Sequence, residues 1–237
     1  MSLKLLSIII PVYNEINTIE KIIKKVDEVE SNDYKKQVII VDDFSNDGTR
    51  EFLIDLKRLR SDYTIIFQNK NIGKGKAIRT GLKHVKGEYT IIQDADLEYD
   101  PNEINLLIDP ILKGVANVVY SSRFIGGKPH RVLYFWHSIA NKYLTYLSNL
   151  FTGLNFTDME SGYKLFDTKL LNSLDLKENG FGFEPEVTAK ICKIPDLRLY
   201  EVGISYYGRT YHEGKKISLI DAFKALFCII KYNLIIF

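Results

Sequence analysis

The feature that most constrains this fold is the alternation of short apolar runs with amphipathic segments through the first half of the chain. The apolar runs span residues 7–12, 37–41, 63–67, 89–92 and 116–120. Segments with helical spacing of apolar residues lie at about residues 17–29, 48–60, 76–85 and 101–113. Continuous apolar runs are typical of strands covered on both faces. The order therefore predicts an α/β fold with a mostly parallel central sheet and helices on both faces.

The second half of the chain is less regular. Amphipathic helices are predicted at residues 131–150 and 217–232, a shorter helix at about 184–192 and a strand at 197–204. No stretch rich in Pro, Gly or Ser separates the two halves of the sequence. We therefore expect residues 1–237 to form a single domain that ends in amphipathic helices.

Composition argues against several classes of protein. The net charge of +2 on 237 residues gives no reason to expect nucleic acid as a partner. Cys192 and Cys228 lie far apart in apolar surroundings, which predicts reduced core residues and not a disulfide or a metal site. The start of the chain leads straight into a strand, unlike a signal peptide, and no apolar run reaches the ~18 residues that span a bilayer. The sequence predicts a cytoplasmic protein.

Charge is unevenly distributed along the chain. Residues 110–157 and 222–237 contain no Asp or Glu. These stretches are rich in aromatic residues and carry the basic residues Lys113, Arg123, Lys128, Arg131, Lys142, Lys224 and Lys231. Such surfaces attract an anionic membrane or a lipid phosphate. The alternative is that their apolar faces pack on the sheet, or on a second copy of the chain in a homo-oligomer, while the basic residues face water.

Polar residues follow every predicted strand of the first half. They lie at residues 13–15, 42–45, 69–76, 94–96 and 121–123. In parallel sheets, ligands bind at the carboxyl ends of the strands. Turn chemistry could explain any one of these groups but is a poor account of all five. The sequence therefore predicts a ligand site at this edge of the sheet.

An acidic cluster is the most specific of these groups. Asp94, Asp96 and Glu98 follow the buried run at residues 89–92. Two Asp residues separated by one residue suit a hard cation such as Mg²⁺ or Mn²⁺, which keeps positions open for phosphate oxygens. The alternative is a turn that caps the next helix, because Asp is an ordinary turn residue.

The motifs follow a recognisable order. In the first half they are IPVYNE at residues 10–15, VDDFSNDGT at 41–49, NIGKGK at 71–76 and DADL at 94–97. In the second half they are SRF at 122–124, TD at 157–158, SGYK at 161–164 and YGRT at 207–210. Over nearly its whole length, the chain resembles inverting family-two glycosyltransferases with the GT-A fold. It is most similar to polyprenyl-phosphate glycosyltransferases of the dolichol-phosphate mannose synthase type, although it has Glu98 where Gln or Met is common.

The resemblance implies roles for individual residues. The nucleotide pocket would be lined by Pro11, Tyr13, Glu15, Val41 and Asp43. The donor ribose and metal-bound diphosphate would be held by Asp94, Ala95 and Asp96, with Arg209 and Lys215 reaching the donor phosphates. The metal, Mg²⁺ or Mn²⁺, would be bound by Asp94, Asp96 and Glu98, and the catalytic set would be Asp94, Asp96 and Arg123. Alternatively, Glu15 stabilises a helix start and Asp43 belongs to a turn.

The acceptor determines which catalytic groups the enzyme needs. A lipid monophosphate, with a second pKa of about 6, is already an oxyanion near neutral pH and needs cations in place of a base. Arg123 follows a strand end, and a guanidinium fork matches phosphate, with Lys128 and Arg131 as further candidates. A sugar hydroxyl acceptor would instead require a positioned base. Candidate bases are Asp158, Glu160 and Glu184.

The resemblance implies metal-dependent, inverting transfer of a hexose from a nucleotide diphosphate sugar, of GDP-mannose or UDP-glucose type, to a polyprenyl (dolichyl or undecaprenyl) phosphate. Residues 1–122 would bind the donor, and residues 123–237 would face the acceptor and the cytoplasmic face of a membrane, to which the protein is peripherally associated. One alternative is a glycosyltransferase acting on a hydroxyl of a glycan or glycolipid in cell-envelope polysaccharide synthesis. Another is a nucleotide-sugar-binding module without catalysis.

Overall fold

A seven-stranded sheet forms the centre of the protein. The computed structural model describes residues 3–31, 33–132, 134–210 and 219–235. The strands are β1 (Lys4–Val12), β2 (Tyr34–Asp42), β3 (Thr64–Phe67), β4 (Tyr89–Ile92), β5 (Val118–Ser122), β6 (Lys164–Asp167) and β7 (Leu199–Gly203). Their order across the sheet is β3-β2-β1-β4-β6-β5-β7. Each strand predicted from the sequence is present, to within a few residues at its ends.

Helices connect the strands. They are α1 (Ile19–Glu28), α2 (Thr49–Leu59), α3 (Lys74–Leu82), α4 (Ile104–Leu112), α5 (Phe135–Thr152), α6 (Thr168–Ser173), α7 (Phe183–Ile191) and α8 (Leu219–Ile230). A 3₁₀ turn (Pro101–Glu103) precedes α4, and a π-helical turn (Lys231–Ile235) follows α8. No helix among the described residues is long and apolar enough to cross a membrane.

The sheet is mostly parallel, as predicted. Strand β1 pairs in parallel with β2 and β4, β2 with β3, and β5 with β7. Strand β6 is antiparallel to both of its neighbours, β4 and β5. Because β6 runs the opposite way, its first residue, Lys164, lies at the edge where β1, β2, β4 and β5 end. We call this edge the carboxyl edge, and the loop before β6 joins the strand ends there.

Two apolar cores cover the faces of the sheet. On one face, Ile8 and Ile10 of β1 belong to a buried cluster with Ile22 of α1 and Leu107 of α4. A second cluster joins Phe166 of β6 to residues of α5, α7 and α8. The predicted strands are buried because both of their faces are covered in this way. Burying this much apolar surface is the main favourable contribution to folding, at roughly 25 cal/mol per Å².

Two features of the second half differ from the sequence prediction. The helix expected from residue 131 begins at Phe135, and Gly153 ends it with a left-handed φ of 72°. Arg131 therefore lies before the helix, where its backbone N–H donates to the carbonyl of Tyr206 at 2.8 Å. The second is the adjoining pair of strand β6 and helix α6, which was absent from the prediction because β6 begins with a lysine and α6 is only six residues long.

Candidate active site

A cavity of about 460 Å³ lies at the carboxyl edge of the sheet. Most of the residues predicted for the site line it: Pro11, Tyr13, Glu15, Asp43, Asp94, Ala95, Asp96, Glu98, Arg123 and Arg209. Val41 is fully buried in β2 and packs with Ile9, Ile39 and Ala77 beneath the cavity. Lys215 lies outside the described residues. The strand ends thus converge as the positions of their polar residues predict.

Asp43, at the end of β2, orders the loop that precedes α3. Its carboxylate accepts hydrogen bonds from the backbone N–H groups of Ile72 at 3.0 Å and Gly73 at 2.7 Å, and from the Gln68 side chain at 2.6 Å. Burial raises the pKa of Asp43, and the two backbone bonds oppose that shift. The carboxylate therefore fixes one wall of the cavity as well as facing it.

Asp94, at the end of β4, is held by Lys74 from the first turn of α3. The Lys74 Nζ lies 2.8 Å from Asp94 Oδ1 and 3.1 Å from Glu184 Oε1 of α7. Burial alone would lower the pKa of Lys74, but the two carboxylates raise it above its ordinary value, so the side chain is charged. Gly162 packs against this pair, since a Cβ there would lie 2.5 Å from Asp94 Oδ2. The loop before β6 thus closes on the acidic cluster.

Arg209 reaches across the cavity to three carboxylates. Its guanidinium binds Glu15 in a fork, with N–O distances of 2.9 and 3.0 Å, and lies 3.4 Å from Asp96 Oδ2. Its backbone N–H donates to Glu98 Oε1 at 2.7 Å. Burial, together with the Asp94 and Glu98 carboxylates, raises the pKa of Asp96 to about 7. The Arg209 guanidinium therefore lies among the carboxylates of Glu15, Asp96 and Glu98.

Glu98 connects the donor side of the cavity to an aromatic group. Its second oxygen accepts the Tyr206 hydroxyl at 2.8 Å, and Tyr206 lies 5.7 Å from Tyr99, centroid to centroid. The Arg123 guanidinium lies 5.2 Å from the Tyr206 ring centre. The sequence prediction did not include Tyr99 or Tyr206, although Tyr206 directly precedes the YGRT motif. These rings form the surface between the acidic cluster and Arg123.

Arg123, at the end of β5, is fixed by a buried carboxylate. Its Nε and Nη2 lie 2.6 and 2.7 Å from the two oxygens of Asp158, which is fully buried. Nη2 also donates to Asn141 of α5 at 3.1 Å. Among the described residues, Nη1 has no hydrogen-bond partner, so one side of the guanidinium is available to an anion. Asp158 therefore positions Arg123 and is not placed to act as a base.

The other predicted cations lie away from this point. Lys128 is exposed and its Nζ is 3.9 Å from Glu103 Oε1, while the Arg131 Nη1 donates to the carbonyl of Gly208 at 2.6 Å. Neither residue lines the cavity. The structure thus brings only Arg123, of these three basic residues, to the wall of the cavity.

Glu160 lines the cavity and belongs to the loop before β6, the strand between β4, which leads to Asp94, and β5, which leads to Arg123. Its Oε1 is a buried atom with no hydrogen-bond partner in the described part of the chain. Burial and the nearby Glu184 carboxylate raise the pKa of Glu160 to about 8, so its carboxyl is largely neutral at pH 7. Lys164 donates to the carbonyls of Met159 and Ser161 and fixes the loop that carries Glu160.

The carboxylates fit a cation that shares its ligands with a phosphate. Among the described residues, no group of three or more His, Cys, Asp or Glu side chains is arranged to hold a metal ion, so Asp94, Asp96 and Glu98 do not form a three-ligand group here. Mg²⁺ commonly uses one or two carboxylates together with substrate phosphates and water, which matches Asp94 and Asp96 facing one cavity. Both oxygens of Glu98 already accept hydrogen bonds, from Tyr206 and Arg209.

Two helices of the second half form the far wall. Residues of α5 and α8 line the cavity and the two helices pack together, with Ala140, Leu144, Ala222 and Ala225 giving it an apolar surface. Exposed aromatic residues that do not line the cavity lie on the same helices: Phe135, Tyr143, Tyr146, Phe223 and Phe227. Trp136 is exposed and also lines the cavity. The cavity thus has a charged floor at the sheet and an apolar wall beneath an exposed aromatic surface.

Comparison with characterised proteins identifies several relatives. The Haloferax volcanii glycosyltransferase AglJ is 27% identical over 207 residues, which are 85% of this chain and 63% of the relative. The undecaprenyl-phosphate 4-deoxy-4-formamido-L-arabinose transferase of Aeromonas hydrophila subsp. hydrophila is 25% identical over 90% of this chain and 63% of its own length. The UDP-N-acetylglucosamine–dolichyl-phosphate N-acetylglucosaminyltransferase of Methanococcus voltae is 28% identical over 96% of this chain and 95% of its own. The chain thus spans about 63% of the first two relatives.

Solved structures share the fold. Glucosyl-3-phosphoglycerate synthase from Mycobacterium tuberculosis, in complex with Mn²⁺ and UDP-glucose, superposes with a TM-score of 0.75 at 18% identity, over 97% of this chain and 79% of that one. The same enzyme with Mg²⁺ and UDP gives a TM-score of 0.72, also at 18% identity, over 97% of this chain and 79% of that one. The model of the family described as "Glycosyl transferase family 2" matches residues 7–175, well over half of the chain. On that match and this fold, the chain is a GT-A glycosyltransferase and belongs to glycosyl transferase family 2.

Proposed function

We propose that the protein transfers a hexose, with inversion, from a nucleotide diphosphate sugar to a polyprenyl phosphate. One observation carries the proposal: a single cavity joins the carboxylates Asp94 and Asp96 to the guanidinium of Arg123 and ends on an apolar helical wall. A metal-bound diphosphate suits the carboxylates, and a second phosphate suits Arg123. An apolar lipid chain suits the wall formed by α5 and α8.

The donor would lie along the carboxyl edge. Its nucleoside would occupy the part of the cavity lined by Pro11, Tyr13 and Asp43, at the ends of β1 and β2. The diphosphate would follow at the end of the neighbouring strand β4, facing Asp94 and Asp96. Arg209, now bound to Glu15 and Asp96, would turn toward the phosphates once they arrive. The relative from Methanococcus voltae is named for a UDP sugar, which supports UDP-N-acetylglucosamine as a donor to test beside UDP-glucose and GDP-mannose.

Asp94 and Asp96 would hold the divalent cation, either Mg²⁺ or Mn²⁺. When bound, the cation offsets the negative charge that develops on the leaving nucleoside diphosphate. Lys74 holds Asp94 in position, because its Nζ lies 2.8 Å from that carboxylate. Glu98 would accept the hydrogen bond from the Arg209 backbone N–H, as it does in the structure. It would bind the cation only if that hydrogen bond were broken.

The acceptor phosphate would bind to the open side of Arg123. A phosphomonoester has a second pKa of about 6, so it is already a nucleophile near neutral pH and needs no base. Asp158 holds the guanidinium through two bonds, so Arg123 is oriented before the acceptor binds. The attacking oxygen would then approach the sugar from the side opposite the diphosphate, as an inverting displacement requires.

We also propose that the protein associates peripherally with the cytoplasmic face of a membrane. A polyprenyl phosphate resides in a bilayer, and the outward sides of α5 and α8 expose aromatic residues such as Phe135 and Phe223. Aromatic side chains of this kind bind at membrane interfaces.

A hydroxyl acceptor is the second candidate, and one observation favours it. Glu160 lines the cavity with a buried, unpartnered oxygen, and its raised pKa of about 8 is in the range of a general base. The other two candidate bases are engaged, Asp158 with Arg123 and Glu184 with Lys74.

A substrate panel tests the proposal. The purified protein would receive UDP-glucose, UDP-N-acetylglucosamine or GDP-mannose, with short prenyl phosphates or the matching prenyl alcohols, in Mg²⁺, Mn²⁺ or chelator. We expect a glycosyl phosphate lipid to form from prenyl phosphate, in metal only. Product from hydroxyl acceptors alone would support the second candidate, and donor binding without turnover on any acceptor would support a binding module.

A further inference from the structure

Glu160 belongs to the loop that lies between the proposed diphosphate site at Asp94 and the proposed acceptor site at Arg123. The order of strands at the carboxyl edge is β4, β6 and β5, so the loop before β6 lies between Asp94 and Arg123. Neighbouring strands are about 4.8 Å apart, which separates the outer two by about 10 Å. A sugar whose anomeric carbon moves from a diphosphate to a second phosphate must occupy this interval. The residues of the loop before β6 therefore form the floor beneath the sugar.

The electrostatic neighbours of Glu160 agree with this position. Lys164, Arg123 and Asp158 influence its carboxyl from the side of β5 and β6, and Glu184 from the side of α7. Glu184 is bound in turn to Lys74, which binds Asp94. Glu160 is thus near Arg123, which would hold the acceptor, and is connected to Asp94 through Glu184 and Lys74.

Glu160 differs from the other acidic residues of the cavity in one respect. Asp94, Asp96, Glu98 and Glu184 each accept a hydrogen bond or form an ion pair within the protein. The Glu160 Oε1 is buried and has no hydrogen-bond partner in the described part of the chain. A buried polar atom without a hydrogen-bond partner is unfavourable. A ligand that donates a hydrogen bond there would remove this cost.

The surrounding wall suits a hexose. Gly162 contributes no side chain, and Phe181 adds an aromatic side chain to the lining of the cavity. A carboxyl group beside an aromatic surface can satisfy the two kinds of surface on a sugar, its hydroxyl groups and its C–H face.

We propose that Glu160 recognises the donor sugar: its carboxyl accepts a hydrogen bond from a hydroxyl or amide N–H group of the hexose. This role rests on the proposed function, because it assumes that a nucleotide sugar occupies the cavity. It makes Glu160 a specificity-determining residue and not the base of a hydroxyl transfer.

Binding measurements on two variants test the role. Glu160→Met removes the acceptor at similar length, and Glu160→Gln retains a carbonyl oxygen but cannot take a proton. Calorimetry would compare UDP with UDP-N-acetylglucosamine and GDP with GDP-mannose, in Mg²⁺. Glu28→Met, on the exposed side of α1, is the matched control, and thermal melting confirms that each variant is folded.

We expect Glu160→Met to weaken the sugar nucleotide tenfold or more and to leave the free diphosphate unchanged. Glu160→Gln should bind both within a few-fold of the wild type and retain turnover. Equal affinities of Glu160→Met and wild type for the sugar nucleotide would overturn the role, and so would loss of turnover in Glu160→Gln with donor binding intact, which identifies a base. If wild type binds none of the four nucleotides, the proposed function itself fails.

Deoxy analogues of the donor supply a second measurement, with Glu160→Ala as the variant compared with wild type if Glu160→Met does not fold. A panel of monodeoxy sugar nucleotides should contain one analogue that binds tenfold or more weakly than its parent in wild type. The same analogue should lose no affinity relative to its parent in Glu160→Ala, since the bond is already absent. If every analogue lost as much affinity relative to its parent in Glu160→Ala as in wild type, the contact would be contradicted.

Discussion

Lys74, Arg123 and Arg209 each form ion pairs with carboxylates of the cavity in the absence of substrate. Lys74 pairs with Asp94 and Glu184, Arg123 with Asp158, and Arg209 with Glu15. The N–O distances are 2.6–3.1 Å. Removing one member of a buried pair leaves an uncompensated charge, at a cost of about 3–5 kcal/mol. Substrate phosphates must therefore bind by exchanging or extending these pairs, and conservative substitutions are the informative ones.

Asp96→Asn tests the cation site, because it removes a ligand charge but almost no volume. We expect turnover to fall by on the order of 100-fold or more, since even groups that only support a metal ligand contribute 10- to 100-fold. The melting temperature should stay close to wild type, because Asp96 is 18% exposed and its contact with Arg209 is 3.4 Å long. Initial rates and Mn²⁺ binding by electron paramagnetic resonance measure the two effects.

The control for this substitution is Asp109→Asn, an exposed carboxylate of α4 that pairs with Lys113. It should leave both rate and Mn²⁺ affinity unchanged. An Asp96→Asn protein that binds Mn²⁺ normally and turns over fully in chelator would contradict the metal role of Asp96.

Arg123→Lys tests the acceptor site while keeping the positive charge. Lysine lacks the guanidinium fork, so it cannot hold both Asp158 oxygens and a phosphate together. We expect the KM for prenyl phosphate to rise about tenfold or more, in line with one charged hydrogen bond of roughly 1.5–3 kcal/mol. The KM for the nucleotide sugar should change little. Steady-state kinetics with each substrate varied in turn measure this difference.

Arg58→Lys is the matched control, because Arg58 pairs with Asp55 on the exposed side of α2. If Arg123→Lys weakens only the donor, Arg123 belongs to the donor site and the acceptor assignment is lost.

The elements of the first half were predictable because one signal dominates there. Apolar runs such as residues 89–92 are buried on both faces, and β4 has the predicted bounds. Strand β6 escaped prediction because Lys164 begins it, and its charge is accommodated by two carbonyls of its own loop and by the Tyr120 ring at 4.6 Å. Such compensation depends on tertiary contacts that a sequence does not display.

The same limit applies to the site. Strand-end positions predicted which residues would converge, including Asp43, Asp94 and Arg123. They did not reveal which carboxylates are already occupied, because Lys74, Arg209 and Asp158 come from distant segments. Glu160 entered the prediction only as a candidate base, and its unpartnered oxygen became visible in three dimensions.

Gly162→Ala tests the contact between the loop before β6 and the acidic cluster. The added Cβ would lie 2.5 Å from Asp94 Oδ2 and 2.8 Å from Lys74 Nζ, so these two side chains must move. Because both are side-chain ends, we expect the protein to fold but turnover to fall roughly tenfold or more, as a small misplacement of catalytic groups does. Turnover and thermal melting are the measurements.

Gly127→Ala is the control, since a Cβ there has no atom within 4 Å. Full activity in Gly162→Ala would mean that Asp94 tolerates displacement and does not need its present position.

At the scale of the whole molecule, the sheet and the two long helices of the second half have separate tasks. The carboxyl edge collects the charged residues, and α5 and α8 close the cavity with an apolar wall. Aromatic residues on their outward sides are highly exposed, with Phe135 at 67%, Phe223 at 73% and Phe227 at 60%. A membrane would cover this surface, and the alternative cover is a second copy of the chain.

Co-sedimentation with anionic vesicles tests whether a membrane or a second copy of the chain binds to this aromatic surface. We expect binding at low salt that weakens only modestly as salt rises, because apolar burial is insensitive to salt. The basic residues contribute less than their number suggests: Lys231 pairs with Glu178 at 2.8 Å and Lys224 with Asp221 at 3.6 Å, which leaves Lys142 exposed. Each cation that does face anionic lipid adds about 1 kcal/mol.

A variant with Phe135→Ser, Phe223→Ser and Phe227→Ser should lose most vesicle binding while keeping donor affinity, because these side chains are exposed and do not line the cavity. Leu59→Ser, which alters an 81% exposed leucine at the end of α2, is the matched control and should bind vesicles as wild type does. Sedimentation equilibrium of the same proteins reports their oligomeric state. If wild type ignores anionic vesicles at low salt and the triple variant converts an oligomer to a monomer, the aromatic surface is a subunit interface. The acceptor phosphate would then have to reach Arg123 without help from a bilayer, and the case for a lipid acceptor would rest on the cavity alone.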